Sequence, residues 1–368
     1  MEQKYNHQEM IHLQTFNKKQ LDDFVSSGAF QDYDFLPITG HRAKSHIENP
    51  KASESQTLLI LAYDDDKLAG YLGCLPDDFK IDGEIFNYAW LSTLFISNEF
   101  RGKKIAQTLL NKAFEEYQGN IAITEFTKEA ESLYNNIGAF TYINPKSGTR
   151  YYFRTDLQTI IPARKKKAKP FKPFFSLADS LLNFFISIKN GFIKHPSFRF
   201  EILNKIDEES TEFIAGFKTN RVTEEINWAI ENPWILEGNK ADQKYLFSSY
   251  SKSFQYFWVK VYSDDNNLIT CSLLMLRDGH LKIPYLFSIA DLTQFVDFLS
   301  YFVAENKINM LTSYQTELNK NIDSNLSFPN IHQRKIERRY LFHQNLLDRL
   351  PKNFNPSFQD GDGDCLMT

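Results

Sequence analysis

Arg101, Gly102, Lys103 and Lys104 stand between an apolar run ending at Ile96 and a helical pattern beginning at Ile105. The spacing predicts a strand, a short basic loop and then an amphipathic helix, with Leu109, Leu110, Ala113 and Phe114 on one face and Lys112, Glu115 and Glu116 on the other. A helix begins with unpaired backbone N–H groups, and its dipole attracts an anion by about 0.3–1 kcal/mol. Gly102 lets the backbone approach a ligand closely, and the three cations add positive charge. Residues of these types in this order make a cradle for a phosphate or pyrophosphate, although an ordinary solvated turn has the same composition.

The elements that must position this loop alternate along the chain. Helices are expected at Lys18–Ser26 and Arg42–Glu48, a hairpin at Leu58–Tyr63 and Leu68–Leu75, and a strand at Phe86–Ile96. A strand at Ile121–Phe126, a helix at Glu129–Ile137 closed by Gly138 and a strand near Tyr151–Leu157 complete the unit. From Phe198 the order repeats: helices at Glu208–Thr219 and Glu224–Glu231, a hairpin at Tyr256–Tyr262 and Ile269–Leu276, and a strand at His280–Phe287. A helix at Asp291–Asn306 and strands at Ile308–Tyr314 and Arg339–His343 follow. The length of 368 residues suits two domains, expected at 1–157 and 198–350, with a tail at 351–368 read as flexible and acidic. Residues 158–197 form a stiff basic linker with Arg164, Lys165, Lys166, Lys167, Lys169 and Lys172, then an apolar helical stripe. That stripe is read as a bridging helix docked between domains, and the alternative is peripheral membrane or partner contact through 164–193.

The run Leu94-Phe95-Ile96-Ser97-Asn98-Glu99-Phe100-Arg101-Gly102-Lys103-Lys104-Ile105-Ala106 resembles the central cofactor motif of the GNAT acetyltransferase superfamily. Ala130 to Phe140 is similar to that family's second motif. The resemblance implies a mixed α/β (α+β) fold of two GNAT-like domains, each a mostly antiparallel sheet flanked by helices, the second copy degenerate. It implies acetyl-CoA or another acyl-CoA as cosubstrate, with Leu94, Phe95 and Ile96 pairing with the pantetheine arm and Arg101 to Ala106, including Ile105, wrapping the pyrophosphate. Tyr134 falls where relatives place the acid that protonates the thiolate, and the alternative reading is a core aromatic on a helix. Two positions depart from the family pattern: Lys104 stands where a glycine is typical, and Thr127 where an asparagine bonds the cofactor arm.

The implied chemistry is direct attack of a neutral amine on the thioester, with backbone donors near Phe95 or Ile96 at the oxyanion and no metal. Glu84 and Glu125 are the nearest acids to act as base, and each also reads as a solvated loop or strand-end residue. A lysine acceptor costs roughly 4–5 kcal/mol to deprotonate at pH 7 and an amine of pKa about 8 only about 1.4, which favours an amino sugar or an amino acid over a protein lysine. In the second half, Ile283 to Asp291 enters its helix with no arginine-glycine loop, and that copy is expected to wall an acceptor cleft, with Trp228, Trp234, Tyr256 and Trp258 as lining or ordinary core. A net charge of -4 gives no reason to expect nucleic acid as a partner. Three dispersed cysteines and a polar start, Met1 to Asn6, suggest a reduced cytoplasmic protein, monomeric or homodimeric. Gln359 to Asp364 invites a calcium reading but lacks the twelve-residue loop pattern.

Overall fold

In the computed structural model the described residues are 11–238, 244–352, 354, 356 and 358–367, so the polar start read above lies outside them. The longest hairpin organises the first half. Asp82 and Gly83, at φ +51° and +88°, make the tight turn between two long strands, a backbone twist that suits a two-residue connection. Along the chain the first half runs β1 (Ile11–Phe16), α1 (Lys18–Ser26), α2 (Gly40–Ile47), β2 (Leu59–Asp64), β3 (Lys67–Ile81), β4 (Glu84–Ile96), α3 (Ile105–Glu116), β5 (Ile121–Thr124), α4 (Lys128–Ile137) and β6 (Phe140–Tyr152). Two helices follow, α5 (Leu157–Arg164) and α6 (Lys172–Asn190). The second half runs β7 (Phe200–Leu203), α7 (Glu208–Ile214), α8 (Thr223–Glu231), β8 (Leu236–Glu237), β9 (Tyr250–Ser251), β10 (Phe254–Tyr262), β11 (Leu268–Arg277), β12 (His280–Ser288), α9 (Thr293–Glu305), β13 (Met310–Ser313), α10 (Thr316–Ser324), β14 (His332–His343) and α11 (Gln344–Arg349). The fold is mixed α/β, as expected.

Twelve strands form one sheet in the order β1-β2-β3-β4-β5-β14-β6-β13-β12-β11-β10-β7. In each half an antiparallel run ends in one parallel pair: β4 with β5, and β12 with β13. The final strands are interleaved across the expected boundary. β14, from the second half, lies between β5 and β6, and β6 in turn pairs with β13. The strand read at Tyr151–Leu157 is thus the end of a longer one. Pro145 hid its start, and with Asn144 it sits at a bulge opposite Arg339, where a missing N–H costs no ladder bond. Leu157 already opens α5.

Helix α3 lays Ile105, Leu109, Leu110 and Ala113 on the sheet against Ile60, Leu72 and Ala89. Burying each large aliphatic side chain stabilises this layer by about 1.5–3 kcal/mol.

Two expectations fail here. The stretch at 358–367 is a buried strap, not a flexible tail: Asp360 and Asp362 are each 2 % exposed and Leu366 is fully buried. Its acidic character misled, because the chain supplies the counterions. Arg338 pairs with Asp360, Arg221 donates to the Gly363 carbonyl at 3.0 Å, and the Tyr285 hydroxyl donates to Asp362 at 2.9 Å. Arg338→Met leaves the Asp360 carboxylate buried without its partner, so the expected result is a loss of about 3–5 kcal/mol in a denaturant melt. The second failure is α6, which does not dock its apolar stripe. Phe174, Leu177, Leu181, Phe184 and Phe185 are all exposed.

Candidate active site

Strand β4 carries an irregularity in its middle. Tyr71 faces Phe95 while Gly73 faces Ser92, so Thr93 and Leu94 together oppose the single residue Leu72, and Thr93 takes φ +51°. Only glycine fits opposite this bulge. A Cβ on Gly73 would meet Ser92 Oγ at 2.8 Å, and one on Gly70 would meet the Phe95 carbonyl at 2.6 Å. On the other side, β5 pairs with β4 only at Ala89 and Trp90. From Leu91 to Ile96 the β5-facing edge of β4 therefore has no strand against it, and its backbone groups are free to pair with an extended ligand.

The splay opens on a groove of about 750 Å³ lined by Leu94, Phe95, Ile96, Arg101, Gly102, Lys104, Ile105 and Ala106, with Thr127 and Leu133 on the far wall. The sequence-predicted loop residues are thus brought together, with one exception. Lys103 does not line the groove, and its ammonium pairs with Asp64 at 2.8 Å. Helix α3 starts with no side-chain cap and no acid in its first turn, so its own residues leave its positive end open toward the groove, which Glu129 also lines. Gly102, at φ +88°, has open space where a side chain would stand. Lys104 adopts φ +62°, the left-handed conformation that a glycine takes more easily. Lys104→Gly is expected to raise stability by roughly 0.5–1 kcal/mol in a thermal melt while weakening anion affinity only a few-fold, since Arg101 and the helix end remain. Thr127 caps α4, its hydroxyl accepting from the Ala130 N–H at 3.2 Å.

The candidate acid and bases fall less neatly. Tyr134 is 4 % exposed, edge-on to Phe126 and Phe140 at ring distances of 6.0 and 5.5 Å. Burial, and then the charge of Asp364, push its hydroxyl well above the usual phenol range, so it keeps its proton. Glu84 lies at the tip of the β3–β4 hairpin, exposed and paired in register with Ile81, ten residues along the strand from Leu94. At about 3.3 Å per residue this places it roughly 33 Å from the groove, which removes it as a base. Glu125 lies beside the splay, but Arg338 donates to it at 2.9 Å. Burial raises the Glu125 carboxyl, and Arg338, Lys282 and Arg150 together outweigh that and hold it below the usual range. That makes it a weak proton acceptor.

Sequence reasoning missed Asp364. The short 3-10 turn Gly363–Leu366 packs against β3, β4 and β5, with Gly363 against Thr124 and Trp90 at the point of the splay. Burial and then the neighbouring charge of Glu125 raise the Asp364 carboxyl from 3.8 to about 6. The available signal was Cys365-Leu366-Met367, an apolar run directly behind the acids that a solvated tail does not need.

In the second half the stretch from Ile283 to Asp291, read as the counterpart of the loop, is closed. Asp291 Oδ1 accepts from the Thr293 N–H at 2.9 Å, placing a carboxylate where a phosphate would otherwise sit at the start of α9. The strap fills the β12 edge, Gly361 N–H donating to the Pro284 carbonyl and Gln359 accepting from Leu286 N–H, both at 2.8 Å. Trp228, Trp234, Tyr256 and Trp258 are core, each buried with its polar atom bonded inside the protein: Trp228 to the Ser45 carbonyl, Trp234 to the Ser45 hydroxyl, Trp258 to Ser210 and Tyr256 to the Leu366 carbonyl. Among the described residues Glu201, Asp207 and Glu209 converge, and they enclose the Lys260 ammonium.

Residues 23–139 match the model of the acetyltransferase (GNAT) family. No curated protein sequence matches the chain. Among solved structures, a conserved protein of unknown function from Enterococcus faecalis V583, described as "Probable N-Acyltransferase", superposes with a TM-score of 0.50 at 11% identity, covering 92% of this chain and 73% of that one. A GCN5-related N-acetyltransferase from Anabaena variabilis ATCC 29413 gives 0.49 at 13% identity, covering 90% and 72%. The Enterococcus protein shares the fold, and the motif residues that the family model spans are those that line the groove. Residues 23–139, about a third of the chain, are therefore what is similar to the acetyltransferase (GNAT) family.

Proposed function

We propose that the chain is an acyl-CoA-dependent N-acyltransferase that places an acetyl or other small acyl group on a small-molecule amine, such as an amino sugar or an amino acid. One observation carries this reading: the uncapped start of α3, flanked by Arg101 and Lys104, opens into a groove whose other wall is the unpaired edge of β4. Those residues fit the donor. Arg101, Gly102, Lys104 and the first turn of α3 hold a pyrophosphate, and the Leu94–Ile96 edge pairs with an amide-bearing arm. The description of the Enterococcus neighbour points the same way.

Acyl-CoA supplies an activated thioester carbonyl; the chain supplies positioning and proton traffic. N–H groups at the β4 bulge donate toward that carbonyl. Asp364 takes the proton from the amine, and a carboxylate of pKa about 6 is well matched to working near neutrality. Tyr134, protonated throughout, is the candidate acid for the departing thiolate. A polar pocket of about 360 Å³ lined by Glu125, Phe126, Tyr314, Arg338 and Arg339 shares Thr127 with the groove and admits the acceptor. We read the second half as a divergent copy of the first, since β7-β10-β11-β12-β13 repeats the pairing of β1-β2-β3-β4-β5.

The deciding experiment is mass spectrometry of a metabolite extract incubated with the protein and isotopically labelled acetyl-CoA. A mass-shifted amine is the expected result. Tight acetyl-CoA binding by calorimetry with no labelled product on any amine overturns the enzyme in favour of a binding scaffold. Binding of aminoacyl-tRNA without acetyl-CoA binding overturns the donor.

A further inference from the structure

Helix α6 is amphipathic in the reverse of the usual sense. Its polar residues hold it to the protein: Asp179 accepts from the Leu157 and Gln158 N–H groups at 2.8 and 2.9 Å, and Asn183 accepts from Thr155 N–H and donates to the Thr155 carbonyl, both at 2.9 Å. Arg154 donates to Ser187 on the same side at 3.3 Å. These residues recur every fourth position and so lie on one face. The opposite face is apolar and turned to solvent, with Phe174 67% exposed, Leu177 61%, Phe185 65% and Phe192, just past the helix, 80%. Nineteen residues make a rod about 28 Å long at 1.5 Å per residue.

The charge around this face has one sign. Between Leu157 and Pro196 the sequence holds Arg164, seven lysines and a single acid, Asp179, which is buried and already bonded. Most of the cations lead into the N-terminal end of α6, and Lys189 and Lys194 flank the other end. A second copy of this chain would bring the same cations against the face, and lysine is depleted from protein interfaces. An anionic lipid surface complements it: headgroups attract the lysines by about 1 kcal/mol each, and the acyl boundary takes the phenylalanines. No helix among the described residues is long and apolar enough to cross a membrane, so the arrangement lies on the surface.

We propose that the α5–α6 hairpin seats this protein on an anionic membrane surface, with the apolar face of α6 sunk to the headgroup–acyl boundary and the 164–172 cations on the phosphates. Sedimentation of the full chain with phosphatidylcholine vesicles containing about one third phosphatidylserine tests this, against pure phosphatidylcholine and against high salt. The expected result is at least tenfold tighter binding to the anionic vesicles, weakened by salt. The triple change Phe174→Ser, Phe185→Ser, Phe192→Ser and the triple change Lys165→Glu, Lys167→Glu, Lys169→Glu are each expected to abolish binding with unchanged melting temperatures, since all six side chains face solvent. Absence of anionic-vesicle binding by the folded wild-type chain overturns the proposal. So does a concentration-dependent dimer in sedimentation velocity that the phenylalanine changes dissolve and that vesicles do not compete away.

Discussion

Asp364→Asn is expected to lower kcat/KM about 10²- to 10⁴-fold at pH 8, the range a positioned base contributes, and at the same time to make the protein more stable. The two effects have one origin. The carboxyl titrates at about 6 in the fold against 3.8 in the open chain, so between those values the folded form holds a proton that the unfolded form has lost. Because the folded pKa is the higher one, stability falls as pH rises from about 4 to 6 and stays lowered above it. Each pKa unit is 1.36 kcal/mol, so the amide should gain roughly 2–3 kcal/mol at pH 8 and nothing near pH 4. The wild-type kcat/KM should lose activity below a pH of about 6, and that limb should vanish in the variant. Urea melts at pH 4 and 8, with a pH–rate profile, check both halves. An unchanged rate and limb would mean that another group receives the proton, and an unchanged stability would mean that the carboxylate is not desolvated.

Ala106→Glu is expected to raise the Kd for acetyl-CoA on the order of 100-fold without harming the fold. Ala106 sits in the first turn of α3 and lines the groove. A carboxylate there meets the helix dipole favourably, by about 0.3–1 kcal/mol, so the melting temperature should hold or rise. The same charge stands within a few ångströms of where the pyrophosphate must lie, and like charges about 4 Å apart at a protein surface repel by several kcal/mol. Calorimetric titration and a thermal melt separate the two effects. Undiminished donor affinity would place the phosphates elsewhere.

The groove proposed for the donor was legible because its determinants are local. Strand, basic loop and helix follow one another within Leu94–Leu110, so residue type and spacing carry the geometry. Even the departure at Lys104 was visible, and in the fold it is a lysine in the left-handed conformation. The pocket proposed for the acceptor was not legible because it is assembled from distant segments. Asp364 reaches β4 through a strap held by Arg221 and Arg338, and no periodicity links those positions. A run of Asp-Gly pairs is read as solvated unless its counterions are known. Helix α6 shows the complementary failure: its 3.6-residue stripe was seen, but a stripe does not say which face the rest of the molecule binds, and here Asp179 and Asn183 decide it. Strand β14 was seen only at Arg339–His343, its buried end, while the exposed His332–Arg334 start carries no alternation.

The crossed placement of β6 and β14 has a consequence for biosynthesis. As the chain leaves the ribosome, the parallel pair β4–β5 forms early, but the outer edge of β5 waits for residues 340–342, more than two hundred positions later. Contacts of such sequence separation fold slowly. Through that interval the nascent first half presents a bare, apolar strand edge, so its yield in the cell is set by how well that edge is shielded until synthesis reaches His343.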